Sequence, residues 1–119
     1  MLTPPDTTTA NTAAICSMLR SLGFPAHRLG YSFLILAIAE YSQGNIQSLS
    51  KDLYPHIASL FGYLDWHPVE HAIRSATEDA WNNSNCEIWR YYFPVCVKAP
   101  SNKQLIATLA DHLQQNTPL

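Results

Sequence analysis

Apolar residues along this chain recur every three to four positions and nowhere alternate over a strand-length run, so the pattern predicts helices throughout. Ala14, Ile15, Met18, Leu19 and Leu22 make one such stripe, which predicts a first helix over about Thr12 to Leu22, with Gly23 placed to end it. Residues 3 to 12 are rich in Thr, Pro and Asn, almost without apolar content, and read as a flexible lead-in. Pro25 disfavours helix at Phe24, so Phe24 to His27 is a turn. A second helix, about Leu29 to Ser42, is apolar almost all round (Phe33, Leu34, Ile35, Leu36, Ile38) and belongs in the middle of a bundle. Gly44 and Asn45 close it.

The third helix lies within Ile46 to Phe61, broken or started afresh near Pro55, which has no backbone hydrogen to donate. Gly62 ends it. Asp65 is a good N-cap for a fourth helix, because Pro68 is tolerable only in a first turn. That helix buries Val69, Ala72, Ile73, Ala76, Ala80 and Trp81, and turns Glu70, His71 and Arg74 outward. Asn82 to Asn85 stop it. A short helix from about Glu87 to Phe93 ends before Pro94. Ser101 or Asn102 caps a last helix through Gln114, with Leu105, Ile106, Leu109, Ala110 and Leu113 as its inner stripe. The class is all-α: a six-helix domain over residues 12–115, between a lead-in of residues 1–11 and a tail of 116–119. Two helices joined around Gly62, the second with a polar outward face, are what a helix-turn-helix DNA reader needs.

At 119 residues the chain supports a single core. Only 13% of it is charged, so Ser, Asn, Gln, Thr, His and Tyr must cover much of the surface. A net charge of −2 gives no general attraction to nucleic acid, and DNA binding has to rest on a local patch. Cys16, Cys86 and Cys96 lack metal-type spacing and read as buried thiols in a reducing cytoplasm. The N-terminus has no basic region followed by an apolar run, so no signal peptide is expected. The longest apolar run, Phe33 to Ala39, falls far short of the ~20 residues that cross a bilayer. The expectation is a cytoplasmic protein without a membrane partner, metal or cofactor, and not an enzyme.

Between Leu22 and Leu113 several blocks of residues stand in a recognisable order and spacing. They are Leu22-Gly23-Phe24-Pro25-Ala26-His27 with Gly30-Tyr31, and Leu53-Tyr54-Pro55 with Ile57-Ala58. Downstream come Val69-Glu70, Ala72-Ile73-Arg74, Ala76, Glu78 and Ala80-Trp81. The last run is Pro100-Ser101-Asn102, Ile106-Ala107, Ala110-Asp111 and Leu113. In these blocks, from Leu22 to Leu113, the chain resembles the C-terminal effector domain of the stage-zero sporulation protein A family of response regulators. The resemblance implies a sporulation-related transcription regulator. Its third and fourth helices would read a short operator in double-stranded DNA, with two copies side by side as a homodimer on tandem sites. Carried over by position, Glu70, His71 and Arg74 face DNA and Lys51 precedes the Leu-Tyr-Pro. His67 joins them as a donor to bases or phosphates. The receiver domain that precedes this effector domain in the family is not in the sequence, so the chain reads as either a stand-alone, divergent relative or an excised piece.

The departures fall on the DNA-facing side. His71 stands where the family has Arg, His67-Pro68 replaces Ser-Arg, Ser59-Leu60 replaces a basic pair, and the turn is one residue longer. Across residues 50–81, Lys51 and Arg74 stand against Asp52, Asp65, Glu70, Glu78 and Asp79, a net −3 where phosphates should approach. Binding should therefore be weak and salt-sensitive, and stronger at acid pH, where histidines gain charge. A second reading is a degenerate member whose surface around Trp66 contacts a protein partner. A third is the H-x-x-E-H signature of one zinc peptidase class in His67-Pro68-Val69-Glu70-His71, for which no further ligand is evident. Arg74 can also simply pair with Glu70 or Glu78 on its own helix. His27 reads as a hydrogen-bonded turn residue, His56 and His112 as solvated, and the Trp89, Tyr91, Tyr92 and Phe93 group as packing under the fourth helix.

Overall fold

The structure, a computed structural model, describes residues 5–44, 46–84, 86–95 and 97–115. Asn45, Asn85, Cys96 and the tail of residues 116–119 lie outside the described residues, as do the expectations placed on them. Six α-helices and no strand are present among the described residues: α1 (Pro5–Ser21), α2 (Leu29–Ser42), α3 (Tyr54–Leu60), α4 (His67–Asn83), α5 (Cys86–Tyr92) and α6 (Asn102–Gln115). A five-residue π-helical turn, Leu49–Leu53, runs straight into α3. The all-α, six-helix expectation is met.

Helix α1 starts at Pro5, not near Thr12, so residues 5–11 of the expected lead-in are helical. Once Ile15, Met18, Leu19 and Leu22 are docked, adding turns to an anchored helix avoids the nucleation step that a polar segment alone could not cross. Ala14, assigned to the inner stripe, is exposed.

Helix α2 is the centre of the bundle, packing most extensively on α6 and α4 and also against α1 and α3. Phe33, Leu34, Ala37 and Ile38 are buried on it, as its all-round apolar character requires. Gly30 makes the approach to α4 possible. A Cβ there would collide with the Ala72 carbonyl oxygen and sit 2.8 Å from the Ala76 Cβ. At the same crossing the Arg28 guanidinium, just ahead of α2, reaches Asp79 Oδ2 at 2.5 Å and Ser75 Oγ at 3.1 Å on α4.

Behind α4 lies an aromatic knot. Trp89 is fully buried, its ring edge-on to Trp81 at 5.2 Å and tilted against Phe24 and Phe93. Its Nε1–H donates to the Leu22 carbonyl at 3.1 Å, so the indole closes α5 onto the end of α1 without stranding a polar atom. The larger part of the α5 aromatics packs inward as expected, while Tyr91 stays exposed. His112, expected to be solvated, is half-buried and rests against Tyr91 and Tyr92. The cysteines differ too: Cys16 is half-buried and Cys86 exposed.

Candidate nucleic-acid interface

The front of the molecule is built from α3, the turn of residues 61–66 and α4. Ser48 and Asp52 set up the approach to α3. Ser48 Oγ accepts from the Lys51 N–H at 3.2 Å, and the Asp52 carboxylate accepts from the Ser48 and Gln47 N–H groups. Pro55 falls in the first turn of α3, where its missing N–H has no intrahelical partner to lose. The end of α3 has Schellman geometry. Tyr63 N–H donates to the Ala58 carbonyl at 2.9 Å and Gly62 N–H to Ser59 at 3.2 Å, with Gly62 at φ +78°. Glycine supplies that left-handed conformation without a Cβ penalty.

The cap of α4 is Trp66 rather than Asp65, and its side chain makes no cap hydrogen bond. Asp65 acts one residue earlier: its Oδ1 accepts from the His67 backbone N–H at 3.2 Å and lies 2.7 Å from His67 Nδ1. Those bonds, from the ring first and the backbone second, hold the Asp65 carboxyl below the usual carboxylate range. The His67 ring in turn stacks on Trp66 with centroids 4.1 Å apart, and Trp66 stacks on Tyr54 at 5.5 Å. Three aromatic planes thus run from the buried start of α3 to the exposed tip of α4.

One turn further, Glu70 Oε2 holds Arg74 NH1 at 3.2 Å, and Arg74 NH2 lies 3.1 Å from His71 Nδ1. An arginine can only donate, so the bond to His71 uses the unprotonated Nδ1 as acceptor. Arg74 and His71 are exposed, while Glu70 is partly covered by its neighbours.

A long open groove passes in front of these residues. Its first stretch, about 580 Å³, is lined by Tyr54, Trp66, His67, Glu70, Arg74 and, from α6, Asn102 and Lys103. Its second, about 540 Å³, shares Arg74 and Ser101 and continues past Glu78 and Lys98. His67, Glu70 and Arg74 are therefore brought together as the sequence suggested, with His71 bonded to Arg74 at the rim. Lys51 is exposed on the π-helical turn, and the groove there is lined by its neighbours Leu49 and Ser50. Of the ion pairs Arg74 could make on its own helix, the one to Glu70 is formed.

The far wall comes from the start of α6 and the residues just before it. Ser101 and Gln104 form a capping box: Gln104 N–H donates to Ser101 Oγ at 3.1 Å, and Ser101 N–H to Gln104 Oε1 at 3.0 Å. Asn102 is buried and donates from Nδ2 to the Tyr54 hydroxyl and to the Glu70 carbonyl, each at 3.1 Å. One amide thus ties α6 to both α3 and α4. Burial pushes the Tyr54 hydroxyl pKa up, against the opposing pull of the Asn102 bond. The Ser-x-x-Gln spacing was a visible signal for the cap. Nothing in sequence spacing announced that Asn102 would meet Glu70.

The metal reading gains no support from this geometry. His67 and His71 turn their Nδ1 atoms to different partners, and among the described residues no three His, Cys, Asp or Glu side chains gather where a metal ion could be held.

The family described as "Sporulation initiation factor Spo0A C terminal" has a sequence model that matches residues 15–113, most of the chain. The chain belongs to that family. It is a sporulation-related, DNA-binding effector domain of the transcription-regulator type, and its family is not an enzyme family. Among the described residues no helix is long and apolar enough to cross a membrane.

Proposed function

We propose that this domain reads a short operator in double-stranded DNA by laying α4 in the major groove. The observation that carries the reading is the convergence of His67, Glu70 and Arg74 on one open groove at the front of the helix pair. Arg74 offers the planar fork that pairs with the O6 and N7 of guanine, and Glu70 can accept from a cytosine amino group. Their mutual ion pair pre-positions both and opens at little cost, because an i,i+4 pair on a helix is typically worth only about 0.3–0.5 kcal/mol. His67 and His71 donate to base acceptors or phosphates, and Lys51 and backbone N–H groups hold the phosphate backbone. Two copies side by side would occupy tandem sites.

Fluorescence anisotropy with a duplex carrying the family's operator element, against a scrambled duplex, tests this. Arg74→Ala is expected to weaken operator binding about 10- to 100-fold, the worth of one bidentate base contact, while leaving the fold intact. Unchanged operator affinity in that variant would show that α4 does not dock as described.

A second reading keeps one specific observation in its favour. Leu60, Phe61 and Leu64 are exposed at the turn between α3 and α4, Leu64 completely. Such a cluster suits a protein partner, and this reading is the better one if neither duplex is bound at any salt concentration.

A further inference from the structure

The segment that should approach DNA, residues 50–81, carries a net charge of −3, which repels a duplex. The groove in front of α4, however, is closed by a wall that does not belong to that segment. Lys103, on the first turn of α6, lines the stretch that holds Glu70 and Arg74. Lys98, in the connection between α5 and α6, lines the stretch that holds Arg74 and Glu78. The two stretches share Arg74 and Ser101, so the lysines stand along one continuous channel. Both are exposed, and among the described residues neither is engaged in an ion pair, whereas Arg74 is held by Glu70 and Arg28 by Asp79. With the Glu70–Arg74 charges offsetting one another, the channel is left with two uncommitted ammonium groups against the single carboxylate of Glu78.

We infer that Lys98 and Lys103 are the principal phosphate-contacting residues of this domain. One strand of a duplex seated on α4 runs its phosphates along the channel between α4 and the start of α6. The inference rests on the DNA reading of α4 proposed above and adds where the electrostatic attraction comes from. Base contacts and phosphate contacts then sit on different parts of the chain: α4 specifies, and the far wall attracts. Asn102 holds the two walls in register through its bonds to Tyr54 and Glu70. A lysine is adequate for this task, since a mobile ammonium serves as a point charge and needs no fixed fork.

The test is the salt dependence of binding to one fluorescein-labelled duplex of mixed sequence, measured by anisotropy on the full chain from low to physiological potassium chloride. Removing one lysine–phosphate interaction flattens the plot of log K against log salt by about 0.9. K98Q and K103Q should each flatten it by about that amount and K98Q/K103Q by about twice that, with at least a tenfold loss of affinity at low salt. R90Q removes the same charge from an exposed position on α5, outside the channel, and should leave the slope as it is. E78Q, which removes the opposing carboxylate, should tighten binding severalfold. Circular dichroism melting should be the same in all of these variants, because every substituted side chain is exposed. If the unmodified chain binds and K98Q/K103Q keeps its slope, the assignment of the lysines is overturned while the α4 reading stands. If the unmodified chain binds no duplex even at low salt, the α4 reading fails and this inference falls with it.

Discussion

Two tryptophans one helix apart serve opposite ends. Trp89, behind α4, is enclosed by Phe24, Trp81 and Phe93, and its indole N–H is bonded to the Leu22 carbonyl. Trp66, in front of α4, is half-buried between Tyr54 and His67 at the mouth of the groove. The first has every contact it needs inside the molecule. The second is only partly covered by its neighbours and lines the groove. The same residue type therefore anchors the fold in one place and shapes a surface in the other, and α4 between them is specified on its back and permissive on its front.

The sharpest way to break that comparison is Trp89→Ala, expected to cost about 3–5 kcal/mol of unfolding free energy in urea denaturation. A cost below about 1 kcal/mol would mean that the rear knot does not hold the bundle. Next is Asn102→Ala, which strips a buried donor from the Tyr54 hydroxyl and the Glu70 carbonyl and should cost about 1–3 kcal/mol. Gly30→Ala should destabilise by a similar amount, because the added methyl meets the Ala72 carbonyl at a distance real Cβ atoms do not reach. At the front, Trp66→Ala should cost less than Trp89→Ala, about 1–3 kcal/mol for a half-buried ring and its stacking, yet weaken DNA binding. Arg74→Ala should stay within about 0.5 kcal/mol of the unmodified chain in stability while losing operator binding, the cleanest separation of front from back.

The smallest effects are those of pH. The Tyr54 hydroxyl has its pKa raised above 10.0 by burial, so the folded state favours the neutral phenol. The stability this contributes is complete below pH 10 and is lost as pH rises through the folded value. Tyr54→Phe should blunt alkaline unfolding followed by circular dichroism. Asp65 runs the other way. Its carboxylate is favoured by His67, so the contribution is present above the ordinary carboxyl range and fades as pH falls through the depressed folded value.

Much of the fold was legible because its signals are local. Leu22-Gly23 and Phe61-Gly62 end helices through hydrogen bonds that span four to six residues, and the all-round apolar surface of α2 announced a central position. The inner stripe of α4 was read correctly at Val69, Ile73, Ala76 and Ala80. Thr77 was missed because its hydroxyl hides by donating to the Ile73 carbonyl at 2.8 Å. Ala72 and Trp81, read as buried, are only partly so. His27, read as a hydrogen-bonded turn residue, is exposed.

The candidate site was half legible. Glu70 and His71 each lie one turn from Arg74, so helical periodicity alone put both beside it. Lys98, Lys103 and Asn102 join them from nearly thirty residues away, and counting charge within residues 50–81 could not include them. Sequence by itself determined the six helices, where each of them stops, the family and the face of α4 that looks outward, since these depend on neighbours within a turn or two. Tertiary structure alone decided which wall faces that helix, which amide holds the walls together and where two uncommitted lysines stand. Those are contacts between segments whose separation along the chain says nothing of their distance in space.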